Sequence, residues 1–285
     1  MTTRLLGVIG GSGLYRMADL EVLEEVVVET PFGPPSDALV RGRLREREVV
    51  FLPRHGVGHR IPPSDINYRA NIFAMKKLGV SRILSISAVG SMREEIAPGH
   101  LVLPDQFIDR THRRVSTFFT DGLVGHVGLA DPICADLQEK VAAAATRTGS
   151  TLHRGGTYIC IEGPQFSTRA ESNLYRSWNV DVIGMTNVTE AKLAREAGLC
   201  YVTLALATDY DCWHVSEEAV TVEAVLEIMH QNVNMAQNIL KEVAGQPMGE
   251  PTCTCHSAAA NALVTDPSQI PPKLKSDLKL LFESL

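Results

Sequence analysis

Six short runs of the chain are apolar almost throughout: residues 5–9, 48–53, 82–87, 158–162, 181–185 and 200–208. They are rich in Val, Ile, Leu and Ala, and too short for helices of ordinary length, so they predict buried strands. Stretches with helical spacing separate them, at residues 68–78, 134–147, 169–178, 189–197 and 220–243. In the last of these, Val222, Val225, Leu226, Ile228 and Met229 fall on one helical face. Strands alternating with helices predict an α/β fold, a single domain over residues 1–285 with a mixed central β-sheet flanked by helices. Residues 251–272 carry four prolines and only one formal charge, Asp266. That stretch reads as a lid, a linker or a packing tail, so residues 246–285 are taken as a C-terminal tail, with a final amphipathic helix expected over 274–285. No internal repeat is visible.

Composition narrows the function classes. With 45% hydrophobic and 21% charged residues, the chain has enough apolar material for a substantial core, which excludes intrinsic disorder as its main state. A net charge of -6 leaves no extended basic field for a nucleic-acid backbone. The short basic clusters at 41–47 and 110–114 read as solvated surface. The longest apolar run, residues 199–207, falls far below the roughly 20 residues that span a bilayer. The run at 5–9 is too short for a signal peptide, so a cytosolic location is expected. Six cysteines in 285 residues do not make a disulfide scaffold. Only Cys253 and Cys255 are close, in Cys-Thr-Cys-His, and without a matching second pair a metal site is a weak reading.

Candidate chemistry gathers at the strand ends. The first strand runs into Gly10-Gly11-Ser12-Gly13, which suits a tight turn with amides facing an anion. The dinucleotide fingerprint is broken there by Arg16, and no Gly-Lys-Ser/Thr follows, which sets aside a dinucleotide oxidoreductase and a P-loop. Arg54-His55-Gly56 and Ser87-Ala88-Val89-Gly90-Ser91 follow two further strands, and Arg54 is placed to clamp a phosphate with two donors. Each alone is equally an ordinary turn; three in one chain favour a phosphate site. Thr208-Asp209-Tyr210-Asp211 places two carboxylates on one side of an extended segment, where each raises the other's pKa; a calcium ligand or solvated turn is the alternative. Phe166 offers a ring for stacking on a planar base, or for the core.

Taken in order, these segments resemble the trimeric purine nucleoside phosphorylases, and within them the branch acting on 5′-methylthioadenosine. The resemblance rests on Ile9 to Leu14, Thr30-Pro-Phe-Gly-Pro-Pro-Ser-Asp-Ala38, Arg54-His-Gly56, Asn67-Tyr-Arg-Ala-Asn71, Ser91 to Ile96, Asp105 to Thr111, Glu162 to Ser172, Gly184-Met-Thr186 and Ala207 to Trp213. It covers roughly residues 5–245. It implies phosphorolysis, with phosphate held by Ser12, Arg54, His55, Ser87, the Ala88 amide and Thr186. It places Phe166 and Ser167 at the purine and Met185 at the ribose. Asp209 becomes a proton donor to purine N7 and Asp211 an acceptor for a 6-amino group, which favours adenine over a 6-oxopurine. A methylthioinosine or inosine phosphorylase is the alternative within the class. A nucleoside hydrolase leaves the anion cluster unexplained, and nothing points to a non-catalytic nucleotide-binding module. Val222, Val225 and Leu226 match an apolar pocket for the 5′ substituent, and His126 matches a residue that the family takes from a neighbouring subunit. The resemblance thus implies a homotrimer whose partners are methylthioadenosine, phosphate and adenine, with no nucleic acid, no membrane, and no metal or organic cofactor. Cys253 and Cys255 resemble the Cys-x-Cys tail of some heat-stable microbial relatives; a disulfide exchanging with Cys200 and six free thiols both stay open. Thr189, where the family often has proline, bears only on the local turn, and the sequon Asn187-Val-Thr189 has no meaning in a cytosolic chain.

Overall fold

Strand formation follows the apolar runs. In the computed structural model, which describes residues 5–11, 13–214, 222–250 and 252–282 (backbone alone over 222–230), the elements in chain order begin with β1 (Leu5–Gly10), β2 (Leu20–Val26), β3 (Leu39–Leu44) and β4 (Arg47–Pro53). Then come α1 (Tyr68–Lys77), β5 (Val80–Ser91), β6 (Leu101–Leu103), β7 (Gln106–Arg110), α2 (Ala135–Arg147), β8 (Leu152–Arg154) and β9 (Thr157–Ile161). The chain continues through α3 (Arg169–Ser177), β10 (Val182–Gly184), α4 (Asn187–Glu196), β11 (Cys200–Tyr210), α5 (Val222–Gly245) and α6 (Pro272–Leu278). The predicted strands and helices are all present among these.

The strands form one mixed sheet in the order β2-β3-β4-β1-β5-β10-β9-β7, with β11 pairing β5 and β6, and β8 beyond β6. β1 runs parallel to β4 and to β5, and β5 parallel to β11. The first eight residues of β11 are all buried, so helices cover both of its faces. α1 packs against α4, and α2 against α5. Helix starts are chemically marked. Asn67 accepts the Ala70 amide at α1, and Thr168 with Glu171 makes a reciprocal capping box at α3.

Two boundaries move in ways that matter. The strand expected to end at Ser87 continues to Ser91, because β11 stays paired with it to the end and β10 joins at Gly90 and Ser91. The strand expected to end at Thr208 carries on through Asp209 and Tyr210, past a bulge between Ala207 and Asp209. The tail packs: Cys255, Ala259, Ala262, Ile270, Leu278, Leu281 and Phe282 join the main apolar core. Its final helix is shorter than expected, Pro272–Leu278.

The basic cluster at 110–114 is not all solvated surface. The Arg114 side chain is buried, paired with Glu162 at 3.1 Å and bonded to the Tyr68 hydroxyl and the Met185 carbonyl. Glu162 sits where one cation satisfies a buried carboxylate, and that draws Arg114 inward. In the other cluster Arg47 is drawn to the α5 terminus, where it donates to the Ala244 and Gln246 carbonyls.

Candidate active site

The ladder between β1 and β5 ends at the pair Ile9 and Ser85, and β10 joins β5 only from Gly90. Between these pairings, residues 86–89 of β5 have a strand neighbour on the β11 side alone. A cavity of about 490 Å³ fills this gap. It opens at the C-terminal ends of parallel strands, where open α/β sheets hold their ligands, and its size suits a small metabolite.

The inner end of the cavity is polar and tightly bonded. Arg54 follows β4, is 2% exposed, and donates from Nε to Glu190 at 2.5 Å, from Nη1 to the Ile86 carbonyl at 3.0 Å and from Nη2 to Ser85 Oγ at 2.6 Å. Burial disfavours its charge, but the Glu190 carboxylate more than offsets this and holds the guanidinium protonated. Nη2 also reaches the Ile9 carbonyl at 3.4 Å and Glu190 Oε2 at 3.3 Å, so both of its hydrogens are committed and Arg54 has one Nη1 hydrogen left over. In this arrangement it faces the cavity as a single donor, not the two-pronged clamp expected from its position in the sequence.

His55 is next. Its Nδ1 lies 2.8 Å from the Ile61 carbonyl, and its ring stacks on His59 at 4.3 Å between centroids. A carbonyl only accepts, so Nδ1 carries the proton and Nε2 the lone pair. Burial, helped by the Arg54 charge, lowers its pKa to about 4, so the ring is neutral near pH 7.

Ser87 Oγ donates to Asn187 Oδ1 at 2.8 Å, and Thr186 Oγ1 lies 3.3 Å from the same atom. The Asn187 amide in turn donates to Ser85, Tyr201 and Thr203. Asn187 thus fixes where both hydroxyls stand. Thr186 is also the N-cap of α4, with no side-chain cap bond of its own, so the positive end of a helix dipole adjoins the same wall.

The outer end is open. Phe166 is 84% exposed, and the buried Oγ of Ser167 has no partner among the described residues. An orphaned hydroxyl on a cavity wall points to a ligand atom that satisfies it. Asp209 and Asp211 follow the β11 bulge, and Asp209 accepts a hydrogen bond from Thr208 at 2.6 Å. Its desolvated setting raises the Asp209 pKa, and the Asp211 charge adds to this. Gly90 permits the approach of this pair: a Cβ there would lie 3.0 Å from Ile183 Cγ2 and 3.3 Å from Asp209 Oδ1. Trp213, donating to the Ser91 carbonyl at 2.8 Å and covered by Arg176, anchors the far side of the segment.

The cavity therefore brings together Arg54, His55, Ser87, Ala88, Phe166, Ser167, Met185, Thr186, Asp209 and Asp211, all singled out in the sequence. Ser12 lies outside the described residues, between Gly11 and Gly13, which line the cavity. The side chains of Val222, Val225 and Leu226 also lie outside the described residues; Asn232 and Val233, further along the same helix, line the wall. His126 is not at this cavity: it is exposed on a separate loop, where its amide bonds to the Ala262 carbonyl.

Several supporting residues were not foreseen. Glu190 and Asn187 lie beneath the floor, Arg114 fastens Met185 from behind, and Asn232 donates to the Ala207 carbonyl beside the bulge. Each supports a group distant from it in sequence, although Asn187 also holds its neighbour Thr186.

One cavity with an anion-sized polar end at the strand termini and a ring-sized open end beside two carboxylates defines a phosphorylase-type α/β protein. The chain belongs to the phosphorylase superfamily, whose family model matches residues 5–244, and within it to the S-methyl-5′-thioadenosine phosphorylases. It is 59% identical over 282 residues to the S-methyl-5′-thioadenosine phosphorylase of Geobacter sulfurreducens, covering 99% of each chain. The crystal structure of a methylthioadenosine phosphorylase sourced from an antarctic soil metagenomic library matches with a TM-score of 0.92 at 46% identity, over 99% of both chains. A methylthioadenosine phosphorylase from Schistosoma mansoni in complex with adenine matches with a TM-score of 0.82 at 35% identity, over 98% of this chain and 97% of that one.

Proposed function

We propose that this chain cleaves 5′-methylthioadenosine with inorganic phosphate, giving adenine and 5-methylthioribose 1-phosphate, a step of purine and methionine salvage. The observation that carries the reading is the single cavity: it joins the strand-end polar cluster to the Asp209–Asp211 pair. Phosphate sits at the inner end on Arg54, Ser87, Thr186, the Ala88 amide and the Ser12 loop. Neutral His55 accepts a hydrogen bond from a protonated phosphate oxygen through Nε2. The nucleoside lies outward, with Met185 at the ribose, Ser167 and Phe166 at the purine, and Asp211 accepting from the 6-amino group.

A phosphate oxygen forms a bond to C1′ as the C1′–N9 bond breaks. The electron pair leaves with the purine, and Asp209 transfers its proton to N7. A raised pKa keeps Asp209 protonated closer to neutrality than an ordinary carboxyl, and that is the form a donor needs. Fixed donors at the floor supply positioning and electrostatic stabilisation without rearranging during the reaction.

The 5′ methylthio group is assigned to Val222, Val225 and Leu226 of α5 on the family resemblance, together with His126 of a neighbouring copy. Exposure of His126 away from its own chain's cavity supports a shared site, and hence a homotrimer. Residues 1–285 act as one phosphorylase domain with residues 246–285 packed against it. Among the described residues, no helix is long and apolar enough to cross a membrane.

The test is base release from methylthioadenosine, adenosine and inosine, each with and without phosphate. The expected result is phosphate-dependent cleavage, fastest for methylthioadenosine. Faster cleavage of inosine would remove Asp209 and Asp211 from reading the 6-position, and phosphate-independent cleavage would make the enzyme a hydrolase.

A further inference from the structure

The reaction leaves four buried or half-buried thiols without a task. Cys134, Cys200, Cys253 and Cys255 come from three distant parts of the chain, yet their sulfur atoms all lie within 4.8 Å of one another. Cys134 is the N-cap of α2, Cys200 opens β11, and the other two belong to the tail. The Cys200 and Cys253 sulfurs are 3.4 Å apart. The remaining cysteines stand elsewhere: Cys160 is buried in β9, and Cys212 is exposed beside the Asp211 carboxylate.

Four sulfurs at such distances have the geometry of a metal site. A tetrahedral zinc ion with bonds of about 2.3 Å sets its four sulfurs about 3.8 Å apart. One pair stands at 3.4 Å and all four lie within 4.8 Å, so the arrangement spans that figure and closure asks for changes in separation of no more than about 1 Å. The donor set is all thiol, with no carboxylate or imidazole, which selects a soft, four-coordinate ion over magnesium or calcium. Cys134 stands at a helix N-terminus, a positive influence on a cluster that becomes anionic. Cys253 also borders a depression lined by Asp136, Lys140 and Gln246, a path from solvent.

We propose that these four cysteines bind one structural zinc ion that fastens the C-terminal tail to α2 and β11. Binding replaces four S–H bonds by four Zn–S bonds; the four protons pass to solvent, no electron is transferred, and the site carries a net charge of -2. The sequence reading expected no metal and grouped Cys253, Cys255 and Cys200 only as a disulfide or as free thiols. Cys134 arrives from an unrelated helix, which turns a close pair into a four-sulfur set.

The staple has a second consequence, which rests on the shared-site reading of His126. Beyond Cys255 the tail pairs Leu263 with Gly125 in an antiparallel bridge. Val264 donates to the Val124 carbonyl at 2.9 Å, Val124 to Thr265 Oγ1 at 2.7 Å, and His126 to the Ala262 carbonyl at 2.9 Å. The tail is therefore the mould of the His126 loop, and zinc at its root positions that loop for the neighbouring copy.

The experiment is metal analysis of the full-length protein, as isolated and after incubation with zinc alone, followed by exchange with cobalt(II). One zinc per chain is expected, together with strong thiolate-to-cobalt charge-transfer absorption; both should be lost in a Cys253→Ser/Cys255→Ser variant. Should that variant not fold, the wild-type stoichiometry and cobalt spectrum decide the matter. No bound zinc, with six titratable thiols in denaturant, overturns the proposal. No bound zinc with only two to four titratable thiols also overturns it and assigns the cluster to disulfides. Neither readout depends on turnover, so failure of the phosphorolysis assay and failure of the zinc site are separate results. Weaker saturation by methylthioadenosine after chelation, with kcat nearly unchanged, is expected if the tail holds His126.

Discussion

At the inner end of the cavity, Arg54, Ser87 and Thr186 are each held by another side chain. Glu190 accepts from Arg54, from Ser85 at 2.6 Å and from Tyr201 at 2.9 Å, while Asn187 ties Ser87 and Thr186 to the same network. At the outer end, among the described residues, Phe166 is exposed, the Ser167 hydroxyl has no partner, and Asp209 is bonded only to its neighbour Thr208. The inner network keeps its shape without a ligand, as suits a small symmetric anion that must be placed accurately for attack. The outer groups complete their bonding only when a base arrives, as suits the end where specificity is decided. Stability and chemistry should therefore respond to opposite ends of the same cavity.

The largest effect should come from cutting the inner network. Glu190→Leu leaves the Arg54 charge buried without its anion and the Ser85 and Tyr201 hydroxyls without their acceptor. Loss of one partner of a buried ion pair costs about 3–5 kcal/mol. Urea denaturation at fixed protomer concentration should show a loss of that size. A loss under about 1 kcal/mol would mean the floor is not preorganised by this pair.

Next is Asp209→Asn, which keeps shape and removes the acid. Turnover on methylthioadenosine should fall by about 10²-fold, the scale of a lost general acid, with little change in the denaturation midpoint. If stability falls while turnover holds, the contrast between the two ends is wrong.

A subtler test is pH. The carboxyl of Asp209 is raised by its desolvated setting and by Asp211, so the active acid form disappears as pH rises through that elevated pKa. For stability the sign is the same: the folded state holds the proton more tightly than the unfolded chain. That contribution is complete below the unfolded value and is lost as pH climbs through the folded one. Asp211→Asn removes the neighbouring charge and should move the alkaline limb of kcat/KM to lower pH. An unmoved limb would assign it to another group.

The smallest effect is expected at Phe166→Ala. An aromatic contact of about 0.5–1.5 kcal/mol corresponds to roughly 2- to 10-fold in KM for the nucleoside. Because the ring is so exposed, the folding free energy should change by no more than about 0.5 kcal/mol. A large loss of stability would place Phe166 in the core instead of at the base.

Legibility in the sequence followed the range of the interactions. Strands β1, β4, β9 and β11 were readable because both of their faces are buried and the whole run is apolar. β2, with five consecutive exposed residues in Leu20–Val26, has no such run; among the described residues it pairs with β3 alone, and it was missed. The strand-end motifs were readable because glycine, hydroxyl and charged residues there interrupt apolar runs abruptly. The unforeseen residues share the opposite property. Glu190 meets Arg54 across 136 positions, Asn187 meets Ser87 across 100, and Arg114 meets Met185 across 71. Nothing near Arg114 distinguishes it from a solvated arginine; only burial of Glu162 behind the cavity wall makes it structural.

By itself, then, the order of apolar runs and the residues that end them determined the α/β scaffold, the position of the cavity at the strand termini and the chemical types that line it. These are local properties, set by which side chains must leave water and which backbone turns need glycine. The tertiary structure alone decided that Arg54 spends most of its donors on the protein, that His55 is neutral with Nε2 free to accept, and that four cysteines converge at the root of the tail. Those outcomes depend on desolvation and on the meeting of groups far apart in the chain, and neither is defined until the helices have closed over the sheet.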